Sequence, residues 1–249
     1  MPVGRSEAAL FAEQTYGMVG KEGKGKRIKN INKNIAKTGF EVDRKNSNKD
    51  VVTYVNHETK EVHIAHRGTD TSGNRTAQDL HSDFKIAIGK TKKDKHFKTR
   101  TKHTENGLAA HPEYTATASG HSLGGKSLTT TMATNSTVRE RVLRADTFNA
   151  GATIFKEKEM QVLDKEEKSE LKNKMVHHRT KNDAVSMSMV TNKPIGTVRT
   201  YKEKTDKNPD QTQETSAGIG DAITSGNSSA VLHSHKMEHF YDKKQYHDE

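Results

Sequence analysis

Gly120-His121-Ser122-Leu123-Gly124 constrains the chain more than any other stretch. The β-prone run Glu113-Tyr114-Thr115-Ala116-Thr117-Ala118 precedes it, and Gly125-Lys126-Ser127-Leu128-Thr129-Thr130-Thr131, which suits a helix, follows. A G-x-S-x-G pentapeptide between strand and helix describes a sharp elbow. The serine occupies a strained turn, so the residues two places before and after it must be small for strand and helix to close up. Its Oγ then projects above the C-terminal edge of a sheet. The bland alternative is an ordinary Gly/Ser turn, and the rest of the chain has to decide.

The flanking pattern favours the elbow. Residues 6–19 place Ala8, Phe11, Ala12, Thr15, Tyr16 and Val19 at helical spacing. Residues 20–39 read as loop or exposed helix. Residues 50–70 read as two β-runs around Asn56-His57-Glu58-Thr59, the second ending at Arg67-Gly68-Thr69-Asp70. Leu80, Phe84, Ala87 and Ile88 suit a helix face. Residues 144–152 form the next strand, 156–174 a charged helix with a thin apolar stripe, and 174–185 a strand that runs out at Asn182-Asp183. Strands alternating with helices imply a mostly parallel central sheet with helices on both faces. The 249 residues suit a single domain over 1–249, with a loop-rich region at 203–230.

Composition matters at two points. Leu, Ile, Val and Phe are scarce for a folded domain, and the chain carries a net charge of +10. Together these would suggest disorder, except that the apolar residues cluster in short runs. A lean core padded by Ala, Thr and Met is therefore expected. The basic residues concentrate in two polar segments, 20–39 and 90–104. Neither is interleaved with aromatics as a platform for bases would be, so both read as solvated surface and nucleic acid is not the expected partner. The run from Lys90 to Lys102 has only Phe97 as a large apolar residue, a composition drawn to an anionic membrane surface rather than to an oil interface. There are no cysteines, which excludes disulfides and thiolate chemistry. The start of the sequence lacks the apolar core of a signal peptide and no run approaches membrane-spanning length, so a cytoplasmic or packaged protein is expected.

A serine hydroxyl is a weak nucleophile until a base takes its proton, and the base needs an orienting acid. Where G-x-S-x-G tops an α/β sheet, the chain order is Ser, then Asp or Glu, then His. After Ser122, the acid at a strand end is Asp183, and the late histidines are His233, His235, His239 and His247.

Val62-His63-Ile64-Ala65-His66-Arg67-Gly68-Thr69-Asp70, Ser119-Gly120-His121-Ser122-Leu123-Gly124-Gly125 and Arg179-Thr180-Lys181-Asn182-Asp183-Ala184-Val185 together resemble the class 3 lipases, the fungal-lipase-like branch of the α/β-hydrolase fold. Thr147-Phe148-Asn149-Ala150-Gly151-Ala152 and the late histidine region add weaker support. The resemblance spans roughly residues 50 to 240. It implies Ser122 as nucleophile and Asp183 as triad acid. It implies an oxyanion hole from the backbone N–H groups of Thr69 and Leu123, with the Thr69 hydroxyl as a further donor. For the base it implies His235, with His233 as runner-up. The implied activity is hydrolysis of lipid or lipid-like carboxylic esters through an acyl-enzyme, needing no cofactor.

The chain departs from the family pattern at three places. His66 stands where an aromatic usually precedes Arg-Gly. Ser127, Thr129, Thr130 and Thr131 stand in a helix that is usually Ala-rich. Residues 71–108, the family's lid region, are polar and basic. The bland readings are a β-turn role for Thr69, a surface-turn role for Asp183 and a solvent-facing role for His235. His121 is expected to pack beside the elbow without doing chemistry. His177, His178 and the pair His233/His235 have no carboxylate at ligand spacing, so no metal site is expected. The competing reading of the whole chain is a basic binding or structural protein, for anionic lipid or nucleic acid, on a hydrolase fold with little activity.

Overall fold

A computed structural model describes residues 2–69, 95–151, 163–181, 183, 186, 194–201 and 236–241. Its strands, β1 (Glu41–Val42), β2 (Val51–Asn56), β3 (Glu61–His66), β4 (Thr115–His121), β5 (Val142–Phe148), β6 (Met175–Thr180) and β7 (Thr197–Tyr201), form one sheet in that order. β1, β2 and β3 pair antiparallel, and every pairing from β3 to β7 is parallel. The described helices are α1 (Arg5–Gln14), α2 (Lys24–Ile35), α3 (Lys95–Ala109), α4 (Leu123–Thr134), α5 (Ser136–Arg141) and α6 (Lys165–Lys174).

The expected hairpin is β2–β3, paired from Val51↔His66 to Asn56↔Glu61. The Asn56 side chain fixes its turn by accepting from the amides of Glu58 and Thr59 at 3.0 Å. Every residue of both strands is buried, as expected of strands covered on two faces. On one face Val52, Tyr54, Ala65, Phe148 and Tyr201 pack with α1, α2 and the segment Met237 to Tyr241. On the other, Val51, Val55, Val62, Ile64, Ala116, Ala118 and Ala145 pack with Leu108, Leu128, Met132, Val138 and Leu171. The α/β-hydrolase arrangement of a mostly parallel sheet with helices on both faces is present.

Several elements differ from the sequence reading. The N-terminal helix ends at Gln14 and tightens into a 3₁₀ turn, Thr15–Met18. Residues 20–39, left open between loop and exposed helix, hold α2, whose Ile28, Ile31 and Ile35 at helical spacing are buried. The strand expected over 174–185 ends at Thr180, where the Asp183 amide turns back onto the Thr180 carbonyl at 3.3 Å. Within the charged helix, α6 starts at Lys165 because Asp164 caps it, accepting from the Glu167 amide at 2.8 Å while Glu167 accepts from the Asp164 amide at 3.0 Å. The solvated reading of 90–104 is corrected for α3: it packs on β2, β3 and α4, so Phe97, Arg100 and Thr104 are buried. Residues 80–88 and the loop-rich region 203–230 lie outside the described residues. Among the described residues no helix is long and apolar enough to cross a membrane.

Candidate active site

Ser122 sits between the end of β4 and the start of α4 with φ 55° and ψ −125°. A non-glycine residue holds such a backbone only when its surroundings over-determine it, at a cost of about 1–3 kcal/mol. Here the surroundings do so. The Ser122 amide donates to the Phe148 carbonyl at 2.9 Å and its carbonyl accepts from the Lys126 amide at 3.2 Å. The two glycines of the pentapeptide are obligatory. A Cβ at Gly120 would lie 2.7 Å from the Gly124 carbonyl carbon, and one at Gly124 would lie 2.2 Å from the His66 carbonyl oxygen. The Ser122 side chain is 2% exposed, and its Oγ has no hydrogen-bond partner among the described residues. A buried hydroxyl left unpaired is costly, so its presence calls for an explanation.

Leu123 is the first residue of α4 and belongs to the turn whose N–H groups lack intrahelical partners. The end of β3 comes up against the elbow. A Cβ at Gly68 would lie 3.1 Å from Ser122 Cβ, 2.7 Å from the His121 carbonyl oxygen and 2.4 Å from the Tyr16 hydroxyl. Gly68 therefore lets the chain pass close to the serine, and half-buried Thr69 follows it directly. Ser122, Leu123 and the Gly68–Thr69 strand end are thus brought together.

The strand end is held from behind by charge. The Asp50 carboxylate lies 3.3 Å from Arg67 Nη2 and 3.5 Å from Arg100 Nη2. Arg67 Nε also donates to the Lys49 carbonyl at 2.6 Å, and Arg100 Nη1 to the Arg67 carbonyl at 2.5 Å. One carboxylate between two largely buried guanidiniums fixes where Gly68 begins. Sequence reading missed this triad, because Asp50 and Arg100 are far from Arg67 along the chain.

Asp183 is fully buried just beyond β6, its Oδ2 accepting from the Ser186 amide at 2.7 Å. That burial does not fit a surface-turn role. The Arg179 guanidinium lies within electrostatic reach. Burial lowers its pKa, and the charge of Asp183 partly opposes that shift. Asn149 ties the strand ends together. At φ 43° it donates its amide to the His178 carbonyl at 2.8 Å and accepts at Oδ1 from the Thr180 amide at 2.8 Å. Asn tolerates this left-handed backbone, which was the one local signal for its role.

His235 and His233 lie outside the described residues. The chain just after them is anchored. Phe240 packs 5.1 Å from the Phe148 ring and 5.8 Å from that of Tyr201, and Met237, His239, Phe240 and Tyr241 are buried. The Tyr241 hydroxyl is hydrogen-bonded to Glu13.

The remaining buried histidines have partners other than Ser122. His178 Nε2 donates to Asp146 Oδ1 at 2.7 Å while its Nδ1 faces Tyr201 Oη at 2.9 Å. Burial works to raise the Asp146 carboxyl, but the His178 and Arg144 contacts outweigh it and hold the pKa below the usual range. Burial lowers that of His178, against the opposing pull of the Asp146 carboxylate. His66 occupies its aromatic position because Ser127 Oγ and Thr104 Oγ1 satisfy both ring nitrogens, at 3.2 and 2.8 Å. His121 does pack beside the elbow, with Nδ1 2.7 Å from Tyr16 Oη.

No family model and no curated protein matches the sequence. Solved structures do match. A structure titled as a fungal lipase is 14% identical over 96% of this chain and 95% of its own, with a TM-score of 0.50. A lipase from Rhizopus microsporus var. chinensis is 12% identical over 93% of this chain and 83% of its own, at 0.42. A triacylglycerol lipase from Penicillium expansum is 15% identical over 67% of this chain and 68% of its own, at 0.36. At such identities the likeness speaks for the fold alone: the chain has the α/β-hydrolase fold of the fungal, class 3 lipases.

Proposed function

We propose that the protein is a serine hydrolase of lipid or lipid-like carboxylic esters. The observation that carries this reading is Ser122 itself: a strained, buried residue at the mouth of α4, its hydroxyl unpartnered among the described residues, with the Gly68–Thr69 strand end beside it. A strained backbone around an unsatisfied hydroxyl is stored for use, since folding alone would favour glycine there.

In this mechanism His235 takes the Ser122 proton as Oγ attacks the ester carbonyl. The oxyanion is met by the backbone N–H groups of Thr69 and Leu123, reinforced by the positive end of α4. Asp183 orients the imidazole and stabilises the imidazolium. The imidazolium then gives its proton to the leaving alkoxide, and the carbon–oxygen bond breaks to leave an acyl-Ser122. Water, deprotonated by His235, repeats the attack, releasing the acid and restoring the serine. Support for His235 comes from the segment that follows it in the chain, where Phe240 packs on Phe148, whose carbonyl holds the Ser122 amide.

The test is labelling with a fluorophosphonate probe, together with hydrolysis of short p-nitrophenyl esters. Labelling and turnover that both vanish in Ser122→Ala are expected. A folded wild-type chain that neither labels nor turns over ester would replace this reading with the basic binding protein.

A further inference from the structure

One face of α2 is strongly basic. Ile28, Ile31 and Ile35 bury one side of this helix, while Lys26, Lys29 and Lys33 are exposed on the opposite side. Lys21 is exposed in the turn before it. The one acid of this surface, Glu22, pairs with Lys26 at 2.5 Å, leaving Lys21, Lys29 and Lys33 as surplus positive charge. Lys24 is turned away to the carbonyls of Arg44 and Ser47, at 2.9 and 2.7 Å, so the stripe is not a random spray of side chains.

The buried face of α2 connects to the candidate active site through a short path of contacts. Ile31 packs 3.0 Å from where a Cβ on Gly17 would stand, which seats α2 on the turn Thr15–Met18. The Tyr16 hydroxyl of that turn touches His121 of the elbow. Val19 follows, its amide bonded to the Tyr16 carbonyl at 3.1 Å, and at 37% exposure it is, with Leu143 and Val198, one of the exposed large apolar residues among the described residues. An exposed valine thus lies one turn from the elbow contact and at the head of a lysine stripe.

We propose that Val19 and the lysines Lys21, Lys29 and Lys33 form a docking edge for an anionic phospholipid bilayer, with the valine entering the interface and the lysines meeting headgroups. Each lysine near such a surface strengthens partitioning by about fivefold, and the lack of interleaved aromatics speaks against stacked bases as the occupant. The edge would bring Ser122 to its substrate, a purpose that rests on the hydrolase reading; the binding does not.

Binding is measured on Ser122→Ala, which leaves vesicles unconsumed, using vesicles of phosphatidylcholine alone or mixed with phosphatidylglycerol. Because the chain has no tryptophan, Val19→Trp provides a single tryptophan, excited selectively at the red edge, at the docking edge. We expect co-sedimentation with the anionic vesicles only, weakening as salt shortens the Debye length, and a blue shift of the Val19→Trp emission. Changing Lys21, Lys29 and Lys33 to Gln should weaken binding about 100-fold, while Lys165, Lys168 and Lys172 of α6 changed to Gln should leave it intact. Equal loss in both triple variants would overturn the proposal, showing attraction by net charge. So would unshifted emission from bound protein, or binding to duplex DNA that anionic vesicles do not compete away. With Ser122 intact, changing Lys21, Lys29 and Lys33 to Gln should leave hydrolysis of a soluble p-nitrophenyl ester unchanged. If the wild type hydrolyses no ester at all, the reading of Ser122 fails while the vesicle result still stands.

Discussion

Tyr16 Oη lies 2.7 Å from His121 Nδ1, joining residues 105 positions apart beside the elbow. The same hydroxyl crowds the point where Gly68 would carry a side chain, and the Arg67 guanidinium sits 5.9 Å from the Tyr16 ring centre. One residue of the N-terminal turn therefore touches both the elbow and the strand end that faces it. Tyr16→Phe should cost about 1 kcal/mol of stability for the lost hydrogen bond. If Tyr16 sets the spacing of the two loops, kcat for a soluble ester should fall about tenfold with KM little changed. Unchanged kcat would leave Tyr16 a structural contact alone.

Ser122 carries backbone strain that glycine would not. Ser122→Gly should abolish ester hydrolysis while raising stability by about 1 kcal/mol, because the positive φ ceases to be costly. Ser122→Ala should also be inactive but without that gain. Urea titration of the two variants against the wild type decides the point; a less stable Gly variant would show the backbone there to be relaxed.

If Asp183 is the triad acid, Asp183→Asn should lower kcat on the order of 10⁴-fold, by analogy with the Ser-His-Asp triad of serine proteases. His235→Ala should be as damaging as Ser122→Ala, since residues acting as a unit are non-additive, and His233→Ala should be mild. The opposite ranking of the two histidines would transfer the base to His233.

Acid should unfold the protein through its core. Burial pushes the pKa of His63 and His66 down to about 3 and that of His177 down to about 4. The unfolded chain binds these protons near pH 6.5, and the folded chain resists them. The stability is thus fully present above pH 6.5 and is lost as pH falls toward 4. Three such groups give a slope of about 4 kcal/mol per pH unit over the steep part of that window. Urea midpoints measured from pH 7.5 to 4.5 should drop steeply, whereas a flat profile would mean that the imidazoles reach water.

Asp50 balances two arginines, so its loss should be severe. Asp50→Asn leaves the Arg67 and Arg100 guanidiniums facing each other without a counter-charge, at a cost of about 3–5 kcal/mol. The melting temperature and the ester activity should fall together, because the Arg67 carbonyl that receives Arg100 is one residue from Gly68. A large loss of activity at unchanged stability would instead give Asp50 a direct part in the site.

The elbow and the hairpin could be read from the sequence because their determinants are local. Glycines two residues either side of Ser122 answer to atoms of the elbow and the adjacent strand end, and β-branched residues in both arms with an Asn turn specify β2–β3 in place. The order Ser122 then Asp183 also follows from chain direction on a parallel sheet. Tertiary structure alone decided what lies across the sheet. His66 looked like a departure from a hydrophobic pattern, as did Ser127. In the fold they answer each other: the His66 ring is hydrogen-bonded to Ser127 on one nitrogen and to Thr104 on the other, in a core that would penalise an unpaired polar group. Arg100 sat in a run that composition assigned to solvent, but helix packing turned it inward onto Asp50. Tyr16 had only its helical spacing to recommend it, and its hydroxyl found His121 through a contact that no sequence periodicity encodes. Local backbone geometry leaves its mark in neighbouring residues, whereas a buried polar partner is chosen by proximity in space.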